Sequence, residues 1–133
     1  MTDSTLRLLC RGLLEGSLSP AAFLLAVRPD PLRLDAIVLT PPLEWTAQHV
    51  LDYLGRFGAG EVDEEELGQW ATLLVGMDQA FRCRGAPEDL VAWEALFQIG
   101  LQAATATLTA ESVAYWYQRI QDGVGSSSTL PPA

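Results

Sequence analysis

The run Gly60-Glu61-Val62-Asp63-Glu64-Glu65-Glu66-Leu67-Gly68-Gln69-Trp70-Ala71-Thr72-Leu73-Leu74 constrains the fold more than any other stretch. It joins a helix start, the densest block of charge in the chain and the beginning of an apolar stripe. Asp63 reads as an N-cap, and Glu66 three residues on completes a capping box. Val62 before the cap and Leu67 at the fourth helical position can close a hydrophobic staple. The stripe continues through Trp70, Ala71, Leu74 and Met77 at the 3.6-residue period of a helix that buries one face. The segment predicts a helix docked in a core, with acids massed at its exposed start.

The same entry pattern recurs at Leu18/Ser19/Phe23 and Leu108/Thr109/Val113, where an apolar residue, a cap and a further apolar residue keep the same spacing. Three copies are compatible with an internal duplication, but convergent capping chemistry is the preferred explanation, because the motif is generic. Around these starts the periodicity predicts helices over about 5–15, closed by Gly16, and from Ser19-Pro20 to the stop at 28–31. A third runs from Thr40-Pro41-Pro42 to Phe57, followed by the helix above. A long helix begins at Pro87, and a last one runs from Thr109 to Gly123. From Ala95 the Pro87 helix is apolar nearly all round, which predicts the most buried position. Residues 32–39 read either as a short helix or as extended chain. Helix is preferred, because no second strand candidate is evident and an isolated strand leaves its backbone groups unpaired. Gly76 to Ala86 reads as a connection. The expectation is all-α: one bundle of five to six helices over residues 1–122, with a flexible Gly/Ser/Pro tail at 123–133.

A chain of 133 residues, 49% of them hydrophobic, can bury a core without metal or disulfide support. No apolar run reaches about 18 residues, so no membrane span is expected. Asp3, Arg7, Arg11 and Glu15 interrupt the N-terminal leucines, which speaks against a secretory signal and for a cytoplasmic protein. Cys10 and Cys83 have no metal-ligand spacing and read as buried free thiols. All eight basic residues are arginine, a bias that fits a GC-rich bacterial genome. Residues 1–43 hold four acids and four arginines and are neutral, whereas thirteen acids and four arginines in 44–133 carry the whole −9. Direct nucleic-acid binding is not expected of such a chain, since phosphate contacts need a basic surface. A basic protein partner fits it, as does simple solubility, the commoner reason for such a charge.

Motifs for catalysis are missing. His49 is the only histidine, and no nucleophile elbow, Walker loop or dinucleotide glycine loop accompanies it. Glu61, Asp63, Glu64, Glu65 and Glu66 lack the alternation and turn glycine of a calcium loop, and the helix macrodipole already explains acids at that position. No catalytic residue, cofactor or metal is therefore expected. Contact residues are a different matter. On a helix covering 43–57, Leu43, Val50, Leu51, Leu54 and Phe57 define the inner direction. Trp45, His49, Tyr53 and Arg56 fall opposite, beside Asp52. Trp, Tyr and Arg together have the composition of an interface hot spot. The alternative is that the N-terminal helices pack over this face and take Trp45 into the core. With Glu61, Glu64 and Glu65, these residues form the candidate partner-binding set.

The Gly60–Ala71 run, with Leu108-Thr109-Ala110-Glu111 opening the last helix, resembles a pattern in small helical bacterial proteins of immunity-like or unknown function. That resemblance implies a protein that binds and neutralises a cognate toxin or effector. The leading expectation is thus a non-enzymatic, immunity- or inhibitor-like module. A subunit that self-associates through apolar helix faces is the second, and an enzyme built around a deep pocket at His49 the third. The oligomeric state is not fixed by the sequence.

Overall fold

In a computed structural model, which describes residues 1–128, the chain forms six α-helices and a two-stranded ladder. Their order is α1 (Asp3–Glu15), α2 (Pro20–Val27), a 3-10 turn (Leu34–Ala36), β1 (Leu43–Trp45), α3 (Ala47–Gly58), α4 (Glu64–Gly76), β2 (Phe81–Cys83), α5 (Pro87–Ala104) and α6 (Ala110–Ser128). The mostly helical single-bundle reading holds. No helix among the described residues is long and apolar enough to cross a membrane.

Local chemistry sets the helix starts. Ser19 Oγ accepts from the Ala22 amide at 3.1 Å, Asp63 Oδ1 from the Glu66 amide at 2.8 Å and Thr109 Oγ1 from the Ser112 amide at 3.1 Å. Each bond satisfies one of the donors a helix leaves unpaired in its first turn. Val62 and Leu67 are both buried, as are Leu108 and Val113, so two of the staples bury both of their members. Gly16 ends α1 in the left-handed conformation (φ 82°), with its amide bonded to the Leu13 carbonyl.

Four expectations need correction. Residues 40–45 are not helical. Leu43–Trp45 pairs in parallel with Phe81–Cys83 (Leu43 with Phe81, Glu44 with Arg82, Trp45 with Cys83), and α3 begins only at Ala47. Amides at Leu39 and Leu43 donate to the carbonyls of Gln79 and Ala80, so the segment finds its backbone partners across the ladder. Within 32–39 helical geometry is confined to Leu34–Ala36. The expected helix end at Gly123 is passed, for α6 continues to Ser128; the rest of the expected tail, 129–133, lies outside the described residues. Finally, α5 is not fully buried. Its inner face (Ala92, Ala95, Leu96, Ile99) lies in the core, while Leu90, Trp93, Phe97 and Leu101 face outward.

Trp70 anchors the centre. Its ring stacks on Tyr53 at 4.0 Å, and its indole N–H donates to the Leu13 carbonyl at 2.8 Å, tying α4 to α3 and α1. Small residues bring α4 and α5 close together: a Cβ on Gly100 would stand 3.2 Å from the Thr72 hydroxyl, and one on Gly68 would collide with Ala103.

Candidate functional site

The residues singled out on α3 divide between core and surface. Trp45 is only 2% exposed and Tyr53 3%, so neither is an exposed anchor, and of the two readings of Trp45 the structure gives the core one. The physical reason differs for each. Trp45 belongs to β1, where a helical wheel does not apply. Tyr53 is on α3, but α1 and α4 cover that flank, placing its ring against Trp70 and close to Gly16. Burial, and then the Glu66 carboxylate that accepts from its hydroxyl at 3.4 Å, raise the Tyr53 pKa above its ordinary value. Glu66 therefore serves Tyr53, and the capping at Asp63 runs through the aspartate carboxylate. Arg56 lies 5.3 Å over the Tyr53 ring and donates to the Gly16 carbonyl at 2.9 Å, satisfying the end of α1.

His49 is half-buried. Its Nδ1 accepts from the Thr46 amide at 3.0 Å, which makes it the third-position partner in the capping of α3. Accepting there requires an unprotonated Nδ1. Burial lowers the His49 pKa, opposed by the nearby carboxylates of Asp52, Glu15 and Asp89. Asp52 is exposed and accepts from Gln48 at 2.8 Å. Leu14, Glu15, His49, Asp52, Tyr53 and Arg56 line a hollow of about 190 Å³. Ligand sites usually enclose about 300–1,000 Å³. The hollow is too small for that range, and its histidine and arginine are already committed to helix ends.

A second polar centre escaped the sequence reading. Asp89 is fully buried. Its carboxylate accepts from the amides of Ala47 (2.7 Å) and Ala86 (3.1 Å), and from Arg84 Nε (2.7 Å) and Nη2 (3.1 Å). Each strand of the parallel ladder is followed by a helix, α3 after one residue and α5 after three, so the starts of α3 and α5 converge, and Asp89 holds donors from each. Four donors on one carboxylate satisfy its lone pairs. The centre is closed, and its role is structural. Burial also pushes the Cys10 thiol up to about 11, keeping it protonated at neutral pH. Cys83 is half-buried, and both cysteines are free.

The open surface lies on α5. Leu90, Trp93, Phe97 and Leu101 are 59%, 44%, 46% and 51% exposed, and the Trp93 and Phe97 rings stack at 5.7 Å. They recur at i, i+3, i+7 and i+11, a continuous outward stripe flanked by exposed Glu94. Part of the signal is present in the sequence, where α5 is apolar nearly all round from Ala95 onward, a pattern that predicts the most buried helix and not an outward stripe. Beside the stripe, the α4–α5 seam opens into a groove of about 370 Å³, walled by Pro29, Pro31 and Leu34 and floored by Gly68, Gly100 and Ala103. Glu65 stands at its edge and, with Glu64, also lines an adjoining hollow that includes Ala106 and Leu108. Glu61, Glu64 and Glu65 are all exposed; Glu61 is 3.9 Å from Arg56 Nε.

No family model, no curated protein and no solved structure matches the chain.

Proposed function

We propose that the chain is a non-enzymatic protein-binding module, inhibitor-like in action, that meets a basic protein partner through the outer face of α5 and the acids at the start of α4. One observation carries this reading: the exposed Leu90–Trp93–Phe97–Leu101 stripe, with two stacked aromatic rings at its middle. Exposed aromatics concentrated in a contiguous apolar patch are the composition of interface centres. The acids supply the complementary part, since a field of one sign steers an oppositely charged partner and raises its association rate. Of the residues first singled out, Glu61, Glu64 and Glu65 keep this role. Trp93 and Phe97 take the anchoring role expected of Trp45 and Tyr53. The immunity-like resemblance of the Gly60–Ala71 run agrees with an inhibitory binding function, and a toxin or effector is the partner it implies.

The test is binding to a partner encoded beside this gene, measured by calorimetry. Trp93→Ala with Phe97→Ala should weaken the complex by at least about 2 kcal/mol, the hot-spot range. Wild-type affinity in a folded double variant would overturn the reading. The same stripe also favours a second reading, an assembly subunit that buries α5 against another copy of itself. Sedimentation across a concentration series separates the two: a dimer abolished by Trp93→Glu, with no partner bound, selects self-association.

A further inference from the structure

We infer that the groove beside the α5 stripe receives a polypeptide segment of the partner that presents an aliphatic side chain next to an arginine or lysine. This rests on the protein-binding reading and names what the partner must offer. The groove's volume of about 370 Å³ lies within the range of true ligand sites. Its shape follows from residue size: glycines at 68 and 100 and alanine at 103 leave the floor low, while Pro29, Pro31 and Leu34 raise one wall. The lining is apolar apart from Gln69, Thr72 and Glu65, so the inserted group is apolar.

The neighbour of that group is set by charge. Glu65 is exposed at the edge and has no cation partner among the described residues; Glu64 stands next to it over the adjoining hollow. An apolar group entering here brings its flanking residue against these carboxylates. A cation there gains a charge-assisted hydrogen bond, and an acid is repelled. A second copy of this chain is the poorer occupant. Its acidic half would meet acids, and its residues 1–43 carry no net positive charge to offset them.

The probe is a capped Leu-Arg-Leu-Arg-Leu peptide, with a Leu-Glu counterpart, titrated against isotopically labelled full-length protein. Amide resonances of Gly68, Gly100 and Ala103 should shift and saturate with the arginine peptide. Ala104→Trp, at an exposed position on the groove wall, should weaken that binding at least about tenfold by filling the space. Glu65→Gln should weaken the arginine peptide and, by removing a like charge, strengthen the glutamate peptide. Thermal melts confirm that both variants fold. Equal binding of both peptides, or shifts confined to Trp93 and Phe97, would overturn the inference. So would a concentration-dependent dimer that Ala104→Trp abolishes, since it makes a second copy the occupant. With the cognate partner, loss of binding in Phe97→Ala but not in Ala104→Trp removes the groove inference and leaves the binding module standing. Loss in neither removes both.

Discussion

Asp89→Asn is the substitution that tests the architecture most directly. The amide matches the carboxylate in shape but replaces one acceptor oxygen with a donor. In the native arrangement Oδ1 takes the Ala47 amide and Arg84 Nη2, while Oδ2 takes the Ala86 amide and Arg84 Nε. Whichever way asparagine turns, its NH₂ meets at least one backbone N–H at hydrogen-bond distance. One helix start therefore loses its acceptor, at about 1–3 kcal/mol for an unsatisfied buried donor. The guanidinium loses its charge partner as well, but its side chain is 43% exposed and keeps Glu88 at 3.0 Å, so solvent offsets much of that loss. The expected total is about 3 kcal/mol, the lower end of the range for breaking a buried pair. Urea unfolding should show the midpoint falling by roughly 1.5 M with m unchanged, for m near 2 kcal/mol/M. Asp89→Asn and Arg84→Ala should be less than additive in the double variant, since both break the same contacts. A cost below about 1 kcal/mol would mean that the two helix starts are not tied through this carboxylate.

Three further outcomes follow from the same geometry. Asp63→Ala should cost about 0.5–2 kcal/mol in urea unfolding, the range of a lost N-cap, and no change would detach the start of α4 from that residue. Trp45→Ala should cost about 3–5 kcal/mol, since a buried ring leaves a cavity that the ladder cannot close, and a wild-type melting temperature would contradict its burial. The folded His49 pKa is lowered, so the unfolded chain binds more protons just below the ordinary 6.5. The contribution of neutral His49 is thus full above pH 6.5 and lost as pH falls through the lowered folded value. His49→Gln can still accept the Thr46 amide without titrating, and should flatten that part of the stability–pH curve; an unchanged slope would assign it to another group.

Most helix starts were legible because capping chemistry is local: Ser19, Asp63 and Thr109 each announce themselves within four residues. The start of α3 was not, because the third residue after Thr46 is His49, where the familiar capping pattern has glutamate or glutamine. Thr40-Pro41-Pro42 offered a plausible start in its place, and that displaced Trp45 onto the wrong element. The ladder was invisible for a different reason. Three-residue strands are too short to show a period of two, and their pairing spans a gap of 38 positions from Leu43 to Phe81. In sequence Asp89 is indistinguishable from any first-turn acid, since its burial and its partner on α3 are tertiary facts. The acids of α4 could be placed on the surface from sequence; the groove beside them depends on how closely two helices approach, which Gly68 and Gly100 permit but do not announce.

These missed features bear on one another. The direction in which α5 turns its apolar stripe is set at two points: Asp89 locks its first turn to the start of α3, and the Gly68–Ala103 and Gly100–Thr72 contacts lock its body onto α4. A helix held at both ends cannot roll to bury Trp93 and Phe97, so their exposure is enforced by the core. On the proposed binding function, a face held in this way is pre-organised, which lowers the ordering cost of association. The groove wall and floor belong to the same locked pair of helices. Loosening the Asp89 clamp should therefore weaken partner binding even though no atom of Asp89 reaches the surface. In Asp89→Asn, under conditions where the protein remains folded, the proposed complex should dissociate faster, while the salt dependence of association that the proposal assigns to Glu61, Glu64 and Glu65 stays as in the wild type. An altered salt dependence with unchanged dissociation would show that the clamp and the binding face are independent.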